Sequence, residues 1–400
     1  MTEHDVEIGR KIAAHRVRKG LSQKEFAPLI DRSETWLSQV ERGIRAVKAL
    51  DVLERIAAVL DIPLAELAPN APAVAAEQVP SEAVPLRSLL SANFGLRALI
   101  DASSGLVADT DSLESGTEQA WTLAHEAKYE ELISLLEVLL PRLESAAATA
   151  TDPRSAFAQL ARCYHACAAA LAKLRQYDAA WVAADRAISD AARASDPLLM
   201  GEGAFRLTLI FQGANQLDQA EHTAATAQAA LSELAAQGAP EALSVFGALT
   251  LQLAIIAART DRTEEARRFI EQARVAATRL GRDRNDYHTE FGPTNVQLHE
   301  VAVAVELGDA GEAIRIAAGI DASRLSAERQ GRLAIDVARA WTQRRNVDRA
   351  LSALETAESV TPEQVRSHSL VHSSVRDLMR INSSAGPALA DFARRIGMDV

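Results

Sequence analysis

Four hundred residues exceed what one hydrophobic core usually organises, so two or more structural units are expected. With 48% hydrophobic but only 4% aromatic residues, and alanine supplying much of the apolar share, the composition favours packed helices over sheet. Two cysteines exclude a disulfide framework, and a net charge of −11 means that any contact with nucleic acid must rest on charge gathered locally.

That charge is gathered at one end. Between Arg10 and Lys48 stand ten basic residues against four acidic ones, so the rest of the chain is more acidic than the whole. The start "MTEHDVE" has no signal-peptide character, and the longest apolar run, "VFGALTLQLAIIAA", is shorter than a membrane span and contains Thr250 and Gln252. A soluble cytoplasmic protein, nucleoid-associated and without membrane contact, is expected.

Five short helices are expected over residues 1–67. The first, from Val6 to about Lys19, carries Ile8 and Ile12 on one face and stops at Gly20. Ser22 with Glu25 three residues on predicts a capping box that opens the second helix. Asp31 and Arg32 make a turn, and Ser33 caps the third helix, "ETWLSQVE", which closes at Gly43 in the left-handed position after a helix. On that helix Leu37 and Val40 share an apolar face, flanked by Trp36 and Glu41. Thr35, Ser38, Gln39 and Arg42 form an opposite face that is small and polar. A fourth helix from Val47 to Leu60 repeats Leu50, Leu53, Ile56, Ala57 and Leu60, and Pro63 opens a last short turn.

"LSQKEFAPLI" followed by "SETWLSQVERG" resembles the Xre/lambda-repressor-like helix-turn-helix, with Ala27 at the close crossing and two departures, Asp31 and Arg32 in the turn where glycine and an aliphatic residue are common. The resemblance implies that Glu34, Thr35 and Gln39 reach base edges in the major groove. It implies that Gln23, Ser33, Ser38, Arg42 and the Gly43 backbone hold phosphates, with Arg45 and Lys48 adding charge. It further implies a structural ion pair between Arg16 and Glu41. For Glu34, interaction with the helix N-terminus is the alternative to base contact; for Trp36, packing is favoured over stacking.

Residues 68–85, "APNAPAVAAEQVPSEAVP", lack a helical period and read as a linker. From residue 86 to 400 one phrase recurs between alanine-rich helices: "KYEEL", "QYDAA", "QLDQA", "RTEEA", "DAGEA" and "NVDRA". Their closing residues, Leu132, Ala180, Ala220, Ala266, Ala313 and Ala350, lie 37 to 48 residues apart. This exceeds the ~34 residues of a strict tetratricopeptide repeat, yet the turn, the acid and the small closing residue resemble tetratricopeptide helix pairs. The fold class expected is therefore all-α, a five-helix helix-turn-helix domain followed by an α-solenoid of six or seven antiparallel pairs wound as a right-handed superhelix.

One segment interrupts the repeat, "GRDRNDYHTEFGPTNVQLHE" from Gly281 to Glu300. Arg282, Arg284, Tyr287, His288, Asn295 and His299 are expected to line a ligand groove or touch a second subunit, against the alternative of a solvated loop followed by an ordinary helix. "CYHAC" offers Cys163, His165 and Cys167, too few ligands for a closed zinc site, and His368 with His372 reads as an exposed face. No catalytic constellation, metal site or cofactor is recognised.

The whole chain resembles bacterial regulators that join an Xre-like head to a tetratricopeptide-like body. That resemblance implies a non-enzymatic, sequence-specific DNA-binding regulator. It would act as a homodimer on a palindromic operator in double-stranded DNA, with a peptide or small-molecule effector. The alternatives are a protein-interaction scaffold tethered by its head and a repressor that answers to no ligand.

Overall fold

The computed structural model describes residues 3–47, 49–68, 83–91, 110–149, 153–381 and 386–398, and every regular element among them is a helix. The head comprises α1 (Glu3–Arg18), α2 (Gln23–Leu29), α3 (Glu34–Glu41), α4 (Leu50–Leu60) and α5 (Leu64–Leu67). Ile8, Ile12, Phe26, Ala27, Leu37, Val40, Ile56 and Leu67 meet in one core, so each short helix contributes apolar side chains to it. Local capping sets where the helices begin. The Ser22 hydroxyl accepts from the Glu25 amide at 3.2 Å while Glu25 accepts from the Ser22 amide at 3.0 Å, and Ser33 accepts from the Trp36 amide at 3.1 Å.

The unusual turn keeps its geometry. Asp31 takes a left-handed φ of 52°, which Asp tolerates better than most residues. Arg32 lays its guanidinium 5.5 Å from the Trp36 ring centre, and Trp36 packs half-buried on the head core. Leu50 departs from the expected stripe and is 41% exposed; α4 starts there, and Val52 and Val59 are buried in the core with Leu53, Ile56, Ala57 and Leu60.

The expected linker falls mostly on residues 69–82, outside the described residues. Its end is corrected: α6 (Val84–Ser91) already includes Val84 and Pro85, and Ala83, Leu86 and Leu90 join the first core of the body. Proline is tolerated there because a first-turn N–H has no helical partner.

The body stacks α7 (Thr110–His125) on α8 (Tyr129–Thr149), α9 (Pro153–Lys173) on α10 (Tyr177–Ala194), and α11 (Pro197–Gly213) on α12 (Leu217–Ala236). The series continues with α13 (Pro240–Arg259) on α14 (Thr263–Leu280), α15 (Pro293–Glu306) on α16 (Ala310–Ala317), and α17 (Ala327–Gln343) on α18 (Val347–Val360). Among the described residues these are six pairs, closed by α19 (Pro362–Ser367), α20 (Ser369–Ile381) and α21 (Pro387–Arg395).

The recurring phrase marks the turn inside each pair. The residue before it, Ala127, Arg175, Asn215, Asp261, Gly308 or Arg345, is left-handed in every case. In the third pair the Asn215 amide bonds the Gln212 carbonyl at 3.2 Å and the Gln216 amide the Phe211 carbonyl at 2.8 Å, and the same double bond pattern recurs in the others. This closes the first helix with the paired bonds of a Schellman motif. The six closing residues Leu132, Ala180, Ala220, Ala266, Ala313 and Ala350 are all fully buried, where the two helices of a pair cross.

Helix α13 is long and apolar enough to cross a membrane by length and composition, and here it is buried by α11, α12, α14 and α15. After α14 the chain makes its one irregular excursion among the described pairs. Arg284 and Phe291 exchange two backbone bonds of 2.9 Å, and Phe291 is fully buried. Gly247 of α13 makes room for it, since a Cβ there would lie 2.0 Å from the Phe291 ring. Tyr287, His288 and Glu290 inside this excursion all have left-handed φ of 49–54°, each costing on the order of 1 kcal/mol in a residue other than glycine.

Candidate DNA-reading face and central chamber

On α3, Thr35 and Arg42 are exposed and Ser38 and Gln39 half-exposed, while Leu37 and Val40 point into the core. Glu34 is exposed at the helix start, and Arg45 follows exposed after Gly43, whose φ is 67°. The amides of Ile44 and Arg45 both bond the Gln39 carbonyl, at 2.8 and 3.1 Å, which fixes the chain where it leaves α3. Arg42 Nε donates to the Ser38 carbonyl at 3.1 Å, leaving the far end of its guanidinium outward. Lys48 lies outside the described residues.

Behind this face, Arg16 grips Glu41 through two bonds of 2.6 and 2.9 Å and donates a third to the Leu21 carbonyl at 2.6 Å. Gln23 is half-buried at the start of α2. Its amide nitrogen donates to Glu41 at 2.6 Å, because the second oxygen of Glu41 faces the start of α2, so the side chain braces α2 against α3. Ser33 likewise uses its hydroxyl oxygen as a helix cap.

The head sits on the row of turns of successive helix pairs. Arg18 donates to the Glu306 carbonyl at 2.8 Å, to the Arg259 carbonyl at 2.9 Å and to Asp261 at 2.7 Å. Glu66 accepts from Asn215 at 2.8 Å and contacts His15 at 2.6 Å, and Arg345 pairs with Glu25. Lys19 reaches Asp377 at 3.1 Å, and Arg376 reaches Asp61 at 2.7 Å. Asn215, Asp261 and Arg345 are three of the left-handed turn residues, so the side chains that glycine would lack there are the ones that hold the head. These bonds start from α1, α2, α5 and the α4–α5 turn, and the exposed side chains of α3 are not among them.

Between head and body lies a chamber of about 920 Å³. His15, Lys19 and Glu66 of the head form part of its wall, and inner helices of the body form the rest. Its lining holds ten arginines and lysines against seven aspartates and glutamates. Most are matched, some across elements, Arg339 with Glu306 at 2.9 Å, Arg329 with Glu290 at 3.2 Å and Lys173 with Glu328, and some within α17, where Asp336 takes Arg332 at 3.0 Å and Arg339 at 3.1 Å. A neutral ladder crosses three pairs, from Gln212 to Gln252 at 2.9 Å and from Gln252 to His299 at 3.4 Å.

The field inside is positive. Burial alone would raise the Glu306 carboxyl, yet Arg339, Arg259 and Arg18 bring it down to about 2, and Lys173 and Arg329 hold Glu328 well below its ordinary value. Burial and nearby cations push His288 down to about 2 and His299 to about 4, so both imidazoles are neutral.

Of the residues expected from the irregular segment, His288, Asn295 and His299 stand on the chamber wall. Arg282, Arg284 and Tyr287 do not line it. Arg284 is held by Asp286 at 2.6 Å and Glu241 at 2.8 Å, the Tyr287 hydroxyl turns to Asp196 at 3.2 Å, and Arg282 is exposed. Cys163 and Cys167 are buried, with the Cys167 thiol pushed up to about 12 by burial, and His165 bonds the Leu199 carbonyl at 3.2 Å.

Sequence reasoning missed Trp121, Tyr129, Arg206 and the α17 charges Arg332, Asp336 and Arg339. A signal for some of them was present: Arg206, Gln252 and Arg259 interrupt the two most apolar helices, where a polar side chain must find a partner or a cavity.

Residues 7–69 match the model of a helix-turn-helix domain family. The HTH-type transcriptional regulator SlrR of Bacillus subtilis (strain 168) is 37% identical over 60 residues, which is 15% of this chain and 40% of that protein. The chain thus spans less than half the length of this curated relative. The structure of Bacillus thuringiensis PlcR in complex with the peptide PapR7 and DNA covers 92% of this chain and 99% of that one, at 14% identity and a TM-score of 0.30. Residues 7–69 therefore form an N-terminal helix-turn-helix domain, followed here by a body of stacked antiparallel helix pairs.

Proposed function

We propose that the protein is a sequence-specific DNA-binding transcriptional regulator whose helical body answers to a signal. The observation that carries this is the α3 surface: Thr35, Gln39 and Arg42 present hydrogen-bonding groups outward from a helix-turn-helix domain whose core and caps hold them in place. Thr35 and Gln39, with Glu34 beside them, would read base edges, while Ser38, Arg42, the Gly43 backbone, Arg45 and Lys48 would meet phosphates. Gln23 and Ser33 would support the same surface from behind. One head reads a half-site, so a homodimer on a palindromic operator is part of the proposal, as are a cytoplasmic location and a role without catalysis.

The signal would be a peptide or small molecule in the chamber, because head and body share its walls. An occupant changes regulation only to the extent that it binds one arrangement of the head better than another. Fluorescence anisotropy on DNA from the protein's own upstream region, at two salt concentrations, tests the reading. Binding should survive random competitor, weaken steeply with salt, and fall about tenfold or more for Gln39→Ala or Arg42→Ala. Failure to prefer any site in a genomic library would overturn it in favour of a protein-interaction scaffold.

A further inference from the structure

The chamber contains a set of polar groups that the protein itself leaves unmatched. Trp121 and His288 stack at 4.0 Å between ring centres, and the Arg206 guanidinium lies 4.7 Å from the Trp121 ring while donating to the His288 carbonyl at 2.6 Å. His125 completes the cluster, 5.5 Å from His288. Tyr129 and Arg206 are 3% and 8% exposed, yet the Tyr129 hydroxyl and Arg206 Nε have no hydrogen-bond partner; neither do His125 Nε2 and His288 Nδ1. All four residues line the chamber. A buried polar group left without a partner costs on the order of 1–3 kcal/mol, so a row of four calls for an occupant.

The chemistry of these atoms selects that occupant. Arg206 Nε and the tyrosine hydroxyl are donors. His125 Nδ1 faces the Asn285 amide nitrogen at 3.4 Å, which leaves the ring proton on Nε2 and makes that atom a donor too. Among the described residues the carboxylate in ion-pair contact with Arg206 is Glu202, 3.6 Å away, fully buried, with neither oxygen hydrogen-bonded. Burial raises that carboxyl to about 8, so at neutral pH it is protonated; the ionised Glu328 also acts on Arg206, but it is already paired with Lys173. The chamber acids are matched to other cations, and the lining carries an excess of positive side chains.

We propose that the chamber binds a small organic anion, whose carboxylate or phosphate group is held by Arg206, with Tyr129 and His125 as further donors. A volume of about 920 Å³ lies within the ~300–1,000 Å³ of small-molecule sites. This rests on the regulator reading above and names the chemistry of its signal. The strained backbone of His288 belongs to the same picture, since the left-handed residues of the irregular segment hold its imidazole on Trp121.

The test uses the full chain with phenylacetate, phenyl phosphate and uncharged phenylacetamide as probes, followed by calorimetry and by diffraction from soaked crystals. Saturable binding of an anionic probe at millimolar concentration, with density on Arg206 and none for the amide, is expected. The preferred probe distinguishes a carboxylate source from a phosphate ester. Tyr129→Phe should weaken that probe about fivefold and Arg206→Lys about tenfold or more. Lysine keeps the charge, and Tyr129→Phe keeps the packing, so the result does not depend on one fragile variant.

Equal binding of the amide, density elsewhere, or no saturable binding of either anion overturns the proposal. Operator binding by the same preparation, measured in parallel, separates this failure from failure of the regulator reading.

Discussion

The exposed face of α3 and the inner wall of the body are both polar surfaces, built in opposite ways. On α3 the polar side chains are held by a core behind them and by caps within eleven residues, and their outer ends remain in solvent. On the chamber wall the polar side chains are themselves part of the packing. Arg339 and Glu306 sit on α17 and α15, Arg206 leans on Trp121 of α7, and Glu66 reaches Asn215 across the head–body junction. A surface of the first kind can be altered one residue at a time. A surface of the second kind responds as a network, because removing one partner leaves another buried and unmatched.

Several substitutions break or sharpen this contrast. The largest effect is expected from Phe291→Ala, which empties the space beside Gly247 and should destabilise the body by about 3–5 kcal/mol in denaturant titration, leaving the head's own contacts intact. Arg16→Ala leaves the buried Glu41 carboxylate with Gln23 as its remaining side-chain partner; a loss of about 3 kcal/mol localised to the head, read by hydrogen exchange, is expected. If exchange rises instead throughout the body, the head is no separate network.

Arg18→Ala removes the bonds to Glu306, Arg259 and Asp261. It should cost roughly 2 kcal/mol at the junction and raise protease cleavage near the head while the inner pairs stay protected. The sign of the pH effect at Glu306 follows from its lowered carboxyl, which falls from an ordinary 4.5 to about 2. Its stabilisation is complete above pH 4.5 and is lost as pH falls toward 2, so Glu306→Gln should flatten that part of the acid-unfolding curve. Smallest of all, Thr35→Ala and Gln39→Ala should change stability by no more than about 0.5 kcal/mol while weakening operator binding. A large stability loss there would show that the α3 face is structural.

The legible parts were those with local causes. Ser22 with Glu25, Ser33, and the spacing of Leu37 and Val40 gave the head before any tertiary contact was known, and the repeated phrase located all six turns of the helix pairs. The αL residue before each phrase was not legible, since five of the six are not glycine. Three of those side chains, Asn215, Asp261 and Arg345, make contacts with a head more than 140 residues away. The irregular segment was recognised as different, but the segment alone did not tell that Arg284 would be claimed by Asp286 and Glu241 while His288 turned inward.

By itself, then, the sequence determined the helices, their caps, the polar exposed face of α3 and the period of the body, because each depends on residues within a few turns of one another. Only the tertiary structure decided the chamber. Its wall brings Trp121, Arg206, His288, Glu306 and Arg339 together from separate helix pairs and closes them with the head. No period or motif encodes which buried charge meets which, since that depends on how each pair is placed on the last and on the low-dielectric interior, where every unmatched group carries a cost.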